Sequence, residues 1–191
     1  MSCLCDNEIE LLGCCGVMVP FLQENVQPAS YELTFDGKQI FEARRTSNAV
    51  YDIEERCFID KDTYEPLDPD RVWHRFGSDE RFWFDLQPGE LYIGSSIERL
   101  TIPENVMARF EGKSTLGRAG LMVHMTAGYI DPGFEGNLTL EMMNMAPWPI
   151  RLRHGDKIGQ LSFHDMSRVP QHTYGECGNH YQGQDGATTP R

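Results

Sequence analysis

The chain lacks long apolar runs, an excess of base, helical periodicity and paired metal ligands. No apolar stretch approaches the roughly 18 residues that span a bilayer, which excludes a helical membrane protein. Lys and Arg number 17 against 29 Asp and Glu in 191 residues, a net charge of −12. A surface that acidic repels DNA and RNA, whose binding depends on neutralising phosphates. No nucleic-acid or membrane partner is expected. The start, MSCLCDNEIELLGCC, carries acids where a secretory signal needs bases, so a cytoplasmic location is expected. The six histidines show neither H-E-x-x-H nor H-x-H spacing. Four cysteines, at 3, 5, 14 and 15, crowd the N-terminus, but C-x-C and C-C are not zinc-knuckle spacings and no His lies near them. They read, with Cys57 and Cys177, as reduced thiols. No metal site is expected.

What is present is a chain of ordinary globular composition, 40% hydrophobic and 24% charged, long enough for one domain. A short helix is expected near the start, capped by Asp6, with Ile9, Leu11 and Leu12 as its apolar face. Val26 to Phe35 then runs from a turn into alternation, and Asp36-Gly37 ends it. Thr46 to Asp79 is polar, acidic and loop-rich. From Arg81 onward the pattern is short strands: Phe82 to Leu86, Leu91 to Ile97, Val106 to Phe110, Leu138 to Met145, Ile150 to Arg153 and Ile158 to Phe163. Turns at Gln87-Pro88-Gly89-Glu90, Pro132-Gly133, Ala146-Pro147 and His154-Gly155-Asp156 separate them. Such a series argues for a mainly β protein, a β-barrel or jelly roll. Ser114 to Gly120 stands apart as one or two helical turns. The tail from Gly175 is rich in Gly, Gln and Asn, buries little, and is expected to be mobile.

Three groups of residues carry chemistry. In Asn137 to Met143, alternation puts Leu138, Leu140 and Met142 on one face and Thr139, Glu141 and Met143 on the other. With Met143 and Met145 beside it, Glu141 reads either as an exposed strand acid or as a base in a pocket wall, where apolar surroundings make a carboxylate more basic. Asp131 precedes Pro-Gly, so it reads as a turn former or as a carboxylate aimed at a sugar hydroxyl or a water. Lys113-Ser114-Thr115-Leu116-Gly117-Arg118 offers cations, hydroxyls and backbone N–H groups to an anion, although it is no Walker A loop. Arg109, Lys113 and Arg118 against Glu111 form a positive island or a solvated turn.

Taken together, EGKSTLGRAGL, TAGYIDPGF, LTLEMMN and KIGQLSF, with Val26-Gln27-Pro28-Ala29-Ser30 and the tail Tyr181-Gln182-Gly183-Gln184, resemble the dCTP deaminase family of the trimeric dUTPase superfamily. The likeness covers most of the chain and is weakest between Ala43 and Glu80. It implies a single domain, 1–191, with the dUTPase-like distorted barrel or jelly roll, a homotrimer with sites between subunits, and residues 175–191 closing over nucleotide. It implies deamination without zinc, in keeping with the absent H-x-E and P-C-x-x-C signature, and Mg²⁺ carried on the triphosphate. By the family pattern Glu141 is the general base, and Ser114, Arg118 and Ala127 position the water. Asp131 contacts the deoxyribose, and residues 113–118 hold phosphates. Thr139 and Leu140 line the base pocket, and Gln160, Tyr174, His180 and Gln184 complete the nucleotide contacts. dTTP is a candidate feedback inhibitor.

Ala127-Gly128, with GKSTLGR and YQGQ, is closer to the bifunctional branch, which hydrolyses dUTP to dUMP and pyrophosphate; there Asp131 would orient a second water. The enteric, dUTP-releasing type has His after Thr-Ala. Three positions depart from the family: His180 stands for Lys, Asp185 replaces a base, and Glu32 replaces Asp. A deaminase that releases dUTP, a pure dUTPase and a silent nucleotide-binding trimer remain the alternatives. The glycine-rich C-terminal motif of trimeric dUTPases is missing, and Ser114, Arg118, Ala127 and Glu141 are all intact.

Overall fold

The computed structural model describes residues 2–77 and 83–190. In chain order the elements are α1 (Asp6–Cys14), β1 (Met18–Val19), β2 (Val26–Gln27), β3 (Ser30–Thr34), β4 (Gln39–Ala43), β5 (Ala49–Asp52), β6 (Cys57–Asp60), α2 (Pro69–Val72), β7 (Trp73–Gly77), β8 (Trp83–Leu86), β9 (Leu91–Thr101), β10 (Val106–Gly112), α3 (Ser114–Arg118), β11 (Leu121–Met122), β12 (Tyr129–Ile130), β13 (Glu135–Asn144), β14 (Ile150–Arg153) and β15 (Lys157–Asp165). Each strand expected from the alternation is present, Ile150–Arg153 with its expected bounds and the others with bounds shifted by a few residues. Ser78 and Asp79, expected to end the polar excursion, and Arg81 and Phe82, expected to start the strand series, lie outside the described residues, as does the last tail residue, Arg191.

Two antiparallel sheets carry the fold. One runs β11-β13-β9-β4-β7, with β1 on the same edge of β9 as β4; the other runs β12-β10-β15-β3-β2. They do not close into a barrel but stack as jelly-roll-like layers. Tyr31, Leu33, Phe110, Leu161 and Phe163 of the second sheet and Ile40, Leu100, Leu140 and Met142 of the first fill one core, each at most 1% exposed. Alternating apolar positions on both inner faces account for this layering. Small hairpins β5–β6 and β8–β14 sit outside the main sheets.

One polar link crosses the core. Glu98 on β9 is fully buried and accepts hydrogen bonds from the Thr34 backbone N–H (3.0 Å) and hydroxyl (2.8 Å) on β3. Its own carbonyl accepts the Ser96 hydroxyl at 2.8 Å, and the Ser96 oxygen accepts the Leu138 N–H at 2.9 Å. That last bond sits at a bulge in β13, where pairing to β9 shifts between Asn137 and Thr139.

Two local expectations are corrected. Helix α1 is capped by Cys5, not Asp6: the Glu8 carboxylate reaches back to the Cys5 N–H at 2.8 Å, a capping-box arrangement. Its buried side is Ile9 and Gly13, with Leu12 packed on the core, whereas Leu11 is 64% exposed. In so short a helix only one narrow stripe faces the sheet.

Candidate active site

The bulge decides what β13 presents. Simple alternation would bury Leu138 with Leu140, but Leu140 is fully buried in the core while Leu138 is only half-buried. At the bulge Leu138 packs against the main core and also reaches the side of Thr139 and Glu141. These three, with Ile93, Ala127, Tyr129, Ile130 and Phe134, line a cavity of about 210 Å³. Neither Met143 nor Met145 is part of this wall. The strand ends at Asn144, and Met145 is 62% exposed, its N–H bonded to the Gly120 carbonyl at 2.8 Å.

Glu141 is half-buried in that wall. One carboxylate oxygen, Oε2, accepts the Met125 N–H at 3.0 Å. The other has no hydrogen-bond partner among the described residues and is available to a water or a ligand. Met125 belongs to the segment 123–128 that also brings Ala127 to the cavity. The segment is held where the Phe110 N–H bonds the Gly128 carbonyl at 2.8 Å. A Cβ on Gly128 would stand 3.0 Å from the Phe110 carbonyl oxygen and 3.5 Å from His124 Cε1, so a larger residue here would push this segment a few tenths of an ångström away from β10.

The tail forms the remaining wall. Tyr174, Tyr181, Gln184, Thr188 and Pro190 all line the cavity. Tyr174 stacks edge-on against Phe134 at 5.4 Å. Burial, and then the charge of nearby Asp131, push its hydroxyl pKa up. Asp131 itself is exposed in the turn that its carbonyl forms with the Phe134 N–H at 3.1 Å. Further along, the tail runs beside β13: the Asn137 N–H donates to the Gln184 carbonyl at 3.1 Å, and the Gly183 N–H donates to the Glu135 carbonyl at 2.8 Å. The Gln184 amide oxygen accepts from the hydroxyls of Thr188 (2.8 Å) and Thr139 (3.4 Å). Gly136 lies at φ 146°, and a Cβ there would meet the Gln184 carbonyl at 2.9 Å, so tail and strand could not lie so close around a larger residue.

The other expected site residues lie elsewhere. Lys113, Ser114 and Gly117 line a second, shallower hollow of about 370 Å³, with Val123 and His124. Ser114, Thr115, Gly117 and Arg118 on α3 are exposed; Leu116 packs on the core. The positive island is largely paired. Arg109 meets Glu111 at 2.6 Å, and Lys113 meets Glu32. Lys157 meets the other Glu32 oxygen at 2.5 Å. Strand pairing of β3 with β15 brings Glu32 beside these lysines. Although burial raises the Glu32 pKa, the hydrogen bonds from Lys113 and Lys157 outweigh it and hold the carboxyl below its ordinary value. Arg118 has no ion-pair partner among the described residues. Gln160 lies on the outer face of β15, its amide oxygen 3.4 Å from the Ser30 hydroxyl. His180 does not line the cavity; its Nε2 meets Arg56 Nη1 at 2.8 Å.

Sequence reasoning missed several lining residues, among them Leu138, Tyr129, Thr188 and Pro190. Leu138 is hidden by the bulge, and Tyr129 by its place on the two-residue strand β12. Thr188 and Pro190 sit in a polar tail whose contacts are all long-range. Among the described residues no group of three His, Cys, Asp or Glu side chains could hold a metal ion, and no helix is long and apolar enough to cross a membrane. The six cysteines are free.

The likeness to known proteins is extensive. A family described as dCTP deaminase-like matches residues 9–166. A protein of Pseudarthrobacter chlorophenolicus named "dCTP deaminase, dUMP-forming" is 43% identical over 92% of this chain and 86% of that one. One of the same name from Kocuria rhizophila is 53% identical over 56% of this chain, a match spanning 57% of its own length. Among solved structures, the 2′-deoxycytidine 5′-triphosphate deaminase of Agrobacterium tumefaciens superposes with a TM-score of 0.64 at 23% identity. That match covers 85% of this chain and 48% of the other, so this chain spans about half its length.

Proposed function

This chain belongs to the dCTP deaminase-like family, and from that premise we propose that it converts dCTP and water to dUTP and ammonia, then hydrolyses dUTP to dUMP and pyrophosphate. One observation carries the reading. The Glu141 carboxylate stands in the wall of a largely apolar cavity, fixed through one oxygen and free at the other.

The cavity suits a pyrimidine, and the free oxygen of Glu141 is placed as a general base. It takes a proton from a water, and the resulting hydroxide adds to C4 of the cytosine. That proton passes to N3, where it stays in the product; Glu141 then takes the proton of the adduct's C4 hydroxyl and gives it to the amino group, which leaves as ammonia as the C4 carbonyl forms. The Ala127 carbonyl, Ser114 and Arg118 hold the water and the tetrahedral adduct in this reading. Fixed dipoles in a closed site lower the barrier because they need no reorganisation as charge develops. Thr139 and the β13 backbone at Leu140 border the base, and Asp131 meets the deoxyribose. In the second step Asp131 orients a water toward the α-phosphate, and pyrophosphate departs.

The hollow beside Lys113 and Ser114 is distinct from the Glu141 cavity. That separation supports a homotrimer in which α3 of one subunit serves Glu141 of the next. Arg118, without an acidic partner among the described residues, is then free to grip phosphate bidentately. The donor set near these residues is cationic and hydroxylic, which fits phosphate oxygens better than a bare metal ion. A magnesium ion held by the triphosphate itself would supply charge neutralisation there, shared with Lys113 and Arg118. dTTP keeps the triphosphate, deoxyribose and O4 of dUTP, so it is the natural feedback ligand of the same cavity.

The test is Glu141→Gln, which keeps the shape and removes the base. The variant should bind dCTP and fail to release ammonia. Turnover near that of the unaltered protein would sink the assignment.

A further inference from the structure

The excursion between Ala43 and Gly77 takes no part in the proposed chemistry, yet it meets the tail twice. At the tip of the β5–β6 hairpin, Arg56 Nη1 lies 2.8 Å from His180 Nε2. Past the cavity, Ala187 is 5% exposed in a small core of its own with Val72, Trp73 and Ile93. Ala49 of β5 and Phe58 of β6 pack against that cluster, the Phe58 ring edge-on to Trp73 at 6.4 Å. The stretch that covers Glu141, including Tyr181 and Gln184, lies between these two anchors. Both anchors belong to the same excursion.

The Arg56 contact has a defined chemistry. A guanidinium only donates, so the His180 Nε2 must accept, as a neutral imidazole with its proton on Nδ1. A lysine at position 180 could not accept. Arg56 itself sits at φ 54°, a left-handed conformation that disfavours side chains other than glycine, asparagine and aspartate. The turn therefore holds a strained backbone at the residue whose side chain reaches the tail.

We propose that the β5–β6 hairpin is the seat of the C-terminal tail, and that Arg56 is a positioning residue acting on the nucleotide cavity through His180. It sets the fraction of time the tail lies closed over Glu141. Only the kinetic part of the test rests on the deaminase reading.

Amide hydrogen exchange on the full-length protein without nucleotide tests the seat directly. The amides to follow are Gly183 and Gly186, bonded to the Glu135 carbonyl and to the Asn137 side chain. Arg56→Ala and His180→Ala should each speed exchange there about two- to ten-fold, the opening expected from losing one hydrogen bond. The double variant should be no faster than either single one, and Leu140 in the middle of β13 should be unchanged. Arg56→Lys, which keeps a donor, should recover part of the protection. With dCTP as substrate, KM should rise by a similar factor in Arg56→Ala while kcat stays within about two-fold. Unchanged exchange in Arg56→Ala, or single effects that multiply in the double variant, would overturn the seat. Faster exchange together with no turnover of dCTP, even by the unaltered protein, would uphold the seat and reject the deaminase reading.

Discussion

Removing Glu98 tests how the core supports the site. This carboxylate is fully buried and accepts two hydrogen bonds from Thr34. Glu98→Ala deletes both and leaves the Thr34 N–H buried without a partner. A hydrogen bond to a charged group contributes about 1.5–3 kcal/mol, and an orphaned donor costs about 1–3 kcal/mol. The buried charge offsets part of this through its own desolvation, so a net loss of about 3–5 kcal/mol is expected. For a chain of this size that lowers Tm by about 6–20 °C. Glu98→Gln should be far milder, because its amide oxygen can accept the Thr34 N–H and its amide nitrogen can donate to the Thr34 hydroxyl. The two variants also separate by pH. Burial raises the Glu98 pKa above 4.5, and the Thr34 bonds only partly oppose it. The folded state therefore holds the proton more tightly than the unfolded chain does. The stabilisation from protonation is complete below about pH 4.5 and is lost as pH rises through the folded-state value. Calorimetric Tm values from pH 4.5 to 7.5 should show the unaltered protein gaining on Glu98→Gln as pH falls. Parallel curves, or a relative loss on acidification, would refute the reasoning. The residue-98 carbonyl that holds Ser96, and through it the β13 bulge, is kept in both variants, so kcat should change little at temperatures where each remains folded.

Other perturbations probe the site itself. Gly128→Ala places a Cβ 3.0 Å from the Phe110 carbonyl. It should cost about 1–3 kcal/mol of stability and shift the segment that holds Glu141, lowering kcat about ten-fold or more; activity and Tm like those of the unaltered protein would count against the tight fit. Glu32→Gln removes the shared partner of Lys113 and Lys157 and should cost about 1–3 kcal/mol at neutral pH. The Glu32 pKa is depressed, so the unaltered protein keeps this contribution above about pH 4.5 and loses it on further acidification; a denaturant series in acid that shows no such loss would contradict the ion-pair account. Co-expression of Glu141→Gln with Arg118→Ala chains should restore a fraction of activity absent from either alone, because one intact composite site can form. No recovery in verified mixed trimers would exclude a shared site.

The strands were legible because β alternation and Gly/Pro turns are local signals, and Ile150–Arg153 appears with its expected bounds. The β13 bulge was not, because it depends on Ser96 and Asn137 from two strands rather than on any residue pattern within one. The pairing of Lys113 with Glu32 was equally hidden. Those residues are 81 positions apart, and their meeting follows from sheet order. Glu141, Thr139 and Ala127 could be named from motifs, and the structure brings them to one cavity. Ser114 faces a different hollow and Arg118 is exposed on α3, so the motifs that named them did not show which residues share one cavity within this chain. The tail contains few apolar residues, yet Ala187 is buried, a contact created by Trp73 and Ile93 rather than by the tail's own composition.

The central claim is tested most directly by incubating the purified chain with dCTP and Mg²⁺ and resolving the products by anion-exchange chromatography. The account predicts dUMP, pyrophosphate and ammonia in equal amounts. Accumulation of dUTP would contradict the second step, and unchanged dCTP would contradict the deamination itself.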